Sequence, residues 1–95
     1  MGKYEIMYIL TATLDDEARK AEISKLQGIL DANKITVIET KEWGLRDFAY
    51  PIKKQLKGYY VILTVNGGIE GLNEFERLVR LDNNVLRHLI TVAQD

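Results

Sequence analysis

Hydrophobic and polar positions along the chain follow two periodicities, which predict four strands and two helices. Alternating or continuous β-prone runs mark the strands. These runs cover residues 4–10, 35–50, 59–65 and 85–92. Apolar side chains recur every three or four positions after residue 14 (Ile23, Leu26, Ile29, Leu30) and again after residue 71 (Leu72, Phe75, Leu78, Val79). That spacing indicates amphipathic helices, so the predicted order is strand, helix, strand, strand, helix, strand.

Local signals predict where these elements begin, bend and end. Thr13 or Asp15 is expected to cap the first helix, and Asn33 to end it in a left-handed conformation. Gly44 interrupts the alternation of the long second strand, which indicates a bulge. Pro51 donates no ladder hydrogen bond, so this strand lies at an edge and leads into a hairpin loop over residues 52–56.

Right-handed crossovers convert this order into one α+β domain over residues 1–95 with the ferredoxin-like βαββαβ arrangement. Its sheet has four antiparallel strands with the first and third at the centre, and both helices cover one face. Strand parity predicts which side chains face the helices: Tyr4, Ile6, Tyr8, Leu10, Val61, Leu63 and Val65. The opposite, open face then carries an uncovered apolar patch of Met7, Ile9, Tyr60 and Ile62, and such patches mark interaction sites.

Composition narrows the range of functions. The 95 residues are 46% hydrophobic, which excludes a disordered chain, and 13 basic against 14 acidic side chains exclude a simple polycation. The absence of cysteine excludes disulfides, thiolate zinc sites and cysteine nucleophiles. No apolar run is long enough to span a membrane, and no signal peptide is recognisable, so we expect a cytoplasmic protein.

Enzyme signatures are missing from the sequence. No glycine motif cradles a phosphate, and the loop at residues 11–14 lacks the glycine and arginine that ferredoxin-like acylphosphatases use. His88 is the single histidine, which we interpret as an ordinary sheet residue. The acids at residues 15–17 are interpreted as a helix start. We therefore expect no catalytic residues, no cofactor, no metal and no small-molecule substrate.

Positive charge is concentrated at the predicted hairpin. Residues 41–58 contain Lys41, Arg46, Lys53, Lys54 and Lys57. Only two acids, Glu42 and Asp47, oppose them. Residues 57–61 also begin like the octapeptide of RNA-recognition motifs but then depart from it, so base-stacking platforms are mostly missing. A compact basic patch on a nearly neutral protein is typical of contacts that position a phosphate backbone.

Four segments together resemble one known family. They are residues 43–52 (WGLRDFAYPI), 57–60 (KGYY), 4–9 (YEIMYI) and 82–87 (DNNVLR). In order and spacing they are similar to ribosomal protein six of the bacterial small subunit, over essentially the whole chain. The resemblance implies a ferredoxin-like fold without catalysis. It also implies binding to the central domain of small-subunit ribosomal RNA, on the platform, as a heterodimer with ribosomal protein eighteen.

Residue by residue, the resemblance places Lys3, Arg46 and Arg87 where the family has basic side chains near RNA. Lys53, Lys54 and Lys57 are added to the candidate RNA-binding set by the charge pattern alone. Asp47 departs from the family, which usually has a second basic residue at this position. Three to five phosphate contacts give only weak, salt-sensitive binding, so we expect the partner protein to supply further affinity.

Candidate partner contacts come from the long edge strand and from the open face. They are Trp43, Leu45, Phe48, Met7 and Tyr60. One other function remains open, that of a homo-oligomeric ferredoxin-like module binding a small ligand. That function would need an enclosed polar pocket, and the open face offers only Glu5 and Thr64 as polar groups.

Overall fold

The computed structural model describes residues 2–93, in which a four-stranded antiparallel sheet carries two helices on one face. The elements in chain order are β1 (Gly2–Thr11), α1 (Asp16–Ala32), β2 (Thr36–Ile52), β3 (Gln55–Gly67), α2 (Ile69–Arg80) and β4 (Val85–Val92). The strand order β2-β3-β1-β4 confirms the predicted central pair and places β2 and β4 at the edges. Residues 1, 94 and 95 of the predicted domain lie outside the described residues.

The core lies between the helices and one face of the sheet. Alternate side chains of the two central strands are fully buried, as their parity predicts: Ile6, Tyr8, Leu10, Val61, Leu63 and Val65. The helices bury their apolar stripes against them with Ile23, Leu26, Leu30, Leu72, Phe75 and Val79. Side chains alternate between the two faces of a strand, so the residues between these core positions point to the open face.

The ends of α1 show one confirmed and one wrong prediction. Asp15 is the N-cap, and its Oδ1 accepts a hydrogen bond from the Ala18 amide at 2.8 Å. Asn33 is not left-handed, since its φ is −101°, and Lys34 takes that conformation instead at φ 62°. The Asn33 side chain accounts for the difference, because its Nδ2 donates to the Ile29 carbonyl at 2.8 Å and closes the last turn.

The β2–β3 hairpin is longer and tighter than predicted. Gln55 pairs with Ile52 and already belongs to β3, so the loop contains only Lys53 and Lys54. Both residues are left-handed, with φ values of 48° and 66°, as a two-residue turn requires to match strand twist. The predicted bulge is confirmed by a register shift between Glu42 and Gly44, where Gly44 has a φ of 86°.

A buried carboxyl pair, which the sequence analysis missed, ties α1 to the loop before β4. Glu22 is only 5% exposed, and its Oε1 accepts from Asn84 Nδ2 at 3.3 Å. Lys25 Nζ lies 2.9 Å from Asp82 Oδ2 and 3.5 Å from Glu22 Oε1. Burial, and then a hydrogen bond to Asp82, raise the pKa of Glu22. Burial opposes ionisation of Asp82, but hydrogen bonds from Glu22, Lys25 and Asn84 outweigh it and lower its pKa.

We expect Glu22→Gln to flatten the pH dependence of stability. The raised pKa means that the contribution of Glu22 is complete below its ordinary value of 4.5 and is lost as pH rises through the native value. The lowered pKa of Asp82 acts in the opposite direction, its contribution being lost only as pH falls. The neutral amide can still donate to Asp82, so at pH 8 the variant should be more stable by about 1 kcal/mol.

Urea denaturation of both proteins between pH 5 and 9 tests this expectation. Glu39→Gln is the control, because Glu39 is exposed and forms an ion pair with Lys41 at 3.2 Å, on the surface of β2. Parallel stability curves for the unmodified chain and Glu22→Gln across this range would contradict the raised pKa of Glu22 and its hydrogen bond to Asp82.

Candidate functional site

Three aromatic side chains form a cluster on the open face, called the aromatic cluster below: Trp43, Phe48 and Tyr60. The rings of Trp43 and Tyr60 are stacked, with centroids 6.4 Å apart and an interplanar angle of 21°. Phe48 is tilted by 59° against Tyr60 at 6.2 Å. Trp43 has no direct partner in the β2–β3 register because it is the extra residue of the bulge, and it is 49% exposed. The bulge therefore adds an accessible indole to this face.

Phe48 covers part of the predicted apolar patch. Met7, Tyr60 and Ile62 are half-buried, but Ile9 is only 2% exposed, so its prediction as an uncovered residue was wrong. The reason lies at Gly58, where an added Cβ would stand 2.8 Å from Phe48 Cζ and 2.4 Å from Ile9 Cγ2. Because glycine leaves this space open, the phenyl ring drops onto the sheet.

Two arginines flank the aromatic cluster on the open face. The Arg46 guanidinium lies over the Trp43 ring, 5.3 Å from its centroid. Ile9 pairs with Tyr60 on one side and with Arg87 on the other, so Arg87 is on the same face at the edge formed by β4. An aromatic surface between two arginines can bind a ligand that has both apolar and anionic groups. It can equally bind an apolar partner surface while the arginines contact a separate anionic partner.

Leu45 lies away from this cluster. It pairs with Tyr59, whose side chain packs against the core, so alternation places Leu45 on the helix side of the sheet. It is 56% exposed there. The five candidate partner residues thus divide into four on the open face and one on the far side of the β2 edge.

The tip of the hairpin meets the start of β4 in a pocket of about 260 Å³ that we call the basic pocket. Its polar lining consists of Lys53, Arg80, Arg87 and His88, and its apolar lining of Val79, Val85 and Leu86. Lys53 and Arg87 belong to the predicted RNA-binding set, whereas Arg80 and His88 were missed. The sequence gives no signal that Arg80 and His88 meet Lys53. The hairpin that carries Lys53 is more than 25 residues away from them along the chain.

Glu76, on α2, does not line the basic pocket but contacts two of its side chains. Its Oε1 accepts from Arg80 Nη2 at 3.0 Å, and its Oε2 lies 3.3 Å from His88 Nε2. His88 is therefore a sheet residue with a polar partner.

The remaining candidate RNA-binding residues are dispersed. Lys54 is exposed beside Lys53, while Lys57 stands opposite Asp47 in the β2–β3 register. Lys3 lies near the opposite end of β1, about 25 Å along the strand from the hairpin side. It lines a second pocket there, together with Glu5, Glu39 and Thr64. Of the predicted basic residues, Lys53 and Lys54 are at the hairpin tip with Arg87 near them. Arg46 and Lys57 lie further along the hairpin, and Lys3 lies at the other end of the sheet.

Residues 2–93 contain no candidate for two other kinds of site. No helix in this part of the chain has the length and apolar character to cross a membrane. No group of three or more histidine, aspartate or glutamate side chains is placed to hold a metal ion there.

Both a family model and solved structures match this chain. A family model described as ribosomal protein S6 matches residues 3–92. Among solved structures, the 30S ribosomal protein S6 of Thermotoga maritima superposes with a TM-score of 0.92 at 25% sequence identity. The match covers 97% of this chain and 87% of the Thermotoga chain.

Proposed function

The chain belongs to the ribosomal protein S6 family, and from this premise we propose that it binds the central domain of small-subunit ribosomal RNA as a heterodimer with ribosomal protein eighteen. The family role is that of a structural, non-enzymatic component of the small ribosomal subunit. We place the chain on the platform of that subunit, and therefore in the bacterial cytoplasm.

The aromatic cluster flanked by Arg46 and Arg87 is the observation that supports this proposal most. Trp43 is half-exposed although it stacks on Tyr60, and a second protein that covered the open face would bury both rings. Aromatic side chains and arginines are enriched at protein interfaces, where they dominate the binding energy. Trp43, Phe48, Met7 and Tyr60 are the contacts we assign to the partner. Leu45 would join them only if the partner also wrapped around the β2 edge.

RNA contacts are assigned to the basic side chains at the hairpin end. Lys53, Lys54 and Arg87 surround one end of the sheet, and Arg46 projects on the open face next to the partner surface. Asp47 opposes Lys57, so we expect Lys57 to contribute least. A few phosphate contacts of this kind position an RNA backbone without reading its sequence.

We expect the chain to bind RNA tightly only in the presence of its partner. The test measures binding to the central domain of small-subunit ribosomal RNA at 50 and 200 mM salt, with and without ribosomal protein eighteen. If about four phosphates are contacted, affinity of the ternary complex should fall about 100-fold between these concentrations. Lys20→Gln, on the exposed side of α1, serves as the control and should leave both affinity and salt dependence unchanged.

Absence of binding under every condition, together with a stable homodimer in sedimentation, would contradict the proposal. That result would favour the alternative of a homo-oligomeric module that binds a small ligand.

A further inference from the structure

The basic pocket is assembled from three separate elements. Lys53 comes from the tip of the β2–β3 hairpin, Arg80 from the last turn of α2, and Arg87 and His88 from β4. Its volume of about 260 Å³ is several times the roughly 30 Å³ that a water molecule occupies, so a tetrahedral anion fits with part of its hydration shell.

The charges around this pocket are unbalanced. Of the lining side chains within residues 2–93, three are cationic and none is acidic. Glu76 is the carboxylate that contacts this group from behind, so two positive charges remain uncompensated. Arg80 and His88 are held by separate oxygens of Glu76, which orients both before any ligand arrives. Convergent, pre-oriented donors are what a bound phosphate requires.

The backbone of the turn that carries Lys53 is in a costly conformation. Lys53 and Lys54 both have positive φ angles, at positions where glycine or asparagine would be favoured. A left-handed non-glycine residue costs about 1 kcal/mol or more, and such strain is concentrated at functional sites. Here the strained turn delivers a lysine into the pocket instead of the residue best suited to the turn.

We propose that the basic pocket binds a single phosphate group of an RNA backbone, with Arg80 and His88 as ligands beside Lys53. The phosphate oxygens accept hydrogen bonds from these three side chains, and Arg80 exchanges Glu76 for the phosphate. Glu76 is therefore a positioning residue that also competes with the ligand. Arg87, whose side chain is on the open face, borders the pocket at the β4 edge and adds its charge from there. The assignment to RNA rests on the proposed function, whereas binding of a phosphate group does not.

The first experiment tests the pocket without RNA or partner. NMR titration of the 15N-labelled chain with dimethyl phosphate, a phosphodiester, should shift the amide signals of residues 53, 80, 87 and 88. A parallel titration with inorganic phosphate shows whether a free phosphate binds equally well. Glu76→Gln should tighten phosphodiester binding about fivefold, because one opposing charge is removed and Arg80 is released.

Glu74→Gln is the matched control for this titration. Glu74 lies on the same helix and also pairs with an arginine, Arg77, at 2.7 Å, but neither residue lines the pocket. Its affinity should equal that of the unmodified chain. If Glu76→Gln binds no more tightly, or if the shifts occur elsewhere, the phosphate site is refuted.

The second experiment separates this inference from the proposed function. In the complex with ribosomal protein eighteen, Arg80→Gln/His88→Gln should lower RNA affinity about tenfold and reduce the salt slope by about 1. RNA binding that is unaffected by this double variant would overturn the RNA assignment while leaving the proposed function intact. Phosphodiester binding in the pocket without any RNA binding would support the site and contradict the proposed function. Tighter binding of inorganic phosphate than of the diester would overturn the choice of an RNA backbone.

Discussion

Trp43→Ala is expected to weaken the heterodimer with ribosomal protein eighteen about 100-fold, as removal of a central aromatic anchor does at protein interfaces. The indole is half-exposed, stacks on Tyr60 and carries the Arg46 guanidinium on its ring. The substitution removes these two ring contacts from the isolated chain, so the free energy of unfolding should fall by about 1 kcal/mol. About half of this side chain is therefore available to a partner.

Two measurements on purified proteins check this prediction. Calorimetric titration with ribosomal protein eighteen gives the loss of affinity, and urea denaturation followed by circular dichroism gives the loss of stability. Because Trp43 is the single tryptophan of the chain, its fluorescence in the unmodified protein also reports directly whether the partner reaches it. Comparable losses of affinity and stability would show that Trp43 serves the fold and not the interface.

Substitutions at two exposed leucines test where the interface lies. Leu81→Ala changes an exposed side chain at the C-terminal end of α2, away from the open face, and should leave affinity unchanged. Leu45→Ala tests the helix side of the β2 edge. A loss at Leu45 equal to that at Trp43 would mean that the partner binds the edge of β2 and not the open face.

Gly58→Ala is expected to destabilise the chain by about 2 kcal/mol, the usual cost of overpacking. The new methyl group would stand 2.4 Å from Ile9 Cγ2 and 2.8 Å from Phe48 Cζ, and 3.2 Å from the Leu10 carbonyl oxygen. The backbone oxygen cannot yield, so the two side chains must move. The phenyl ring would lift off the sheet, expose Ile9 and disturb the aromatic cluster.

Gly28→Ala is the matched control for this substitution. No neighbouring atom lies within 4 Å of the Cβ that it would add on α1, so it should stabilise the chain by about 1 kcal/mol through helix propensity. Chemical denaturation of both variants compares the two effects. Gly58→Ala/Phe48→Ala should cost less than the two single changes added together, since removal of the ring makes room for the methyl group. A neutral Gly58→Ala would contradict the close packing of Phe48 against this glycine.

The family resemblance and the fold could both be obtained from the sequence because both depend on local patterns. The parity of Ile6 and Tyr8 decides which face of β1 meets the helices, and only two orientations are possible. Gly44 indicates the bulge because glycine can adopt a positive φ. Pro51 indicates the sheet edge because it lacks a backbone N–H. No knowledge of distant neighbours is needed for these inferences.

Two features depend on packing between distant segments and could not be obtained in this way. Ile9 has the parity of the open face, yet Phe48 buries it because Gly58 leaves space for the ring. Glu22 occupies a polar position beside the apolar stripe of α1, yet it is buried against Asp82.

Periodicity along the chain thus determined the order of the elements, the core face and the surface on which a partner is expected. Tertiary structure alone decided that Lys53 meets Arg80 and His88 in one pocket, because the twist and length of the β2–β3 hairpin carry its tip to the start of β4. A sequence pattern reports which way a side chain points within its own element. The groups it meets depend on how whole elements pack, and that is a property of the three-dimensional arrangement.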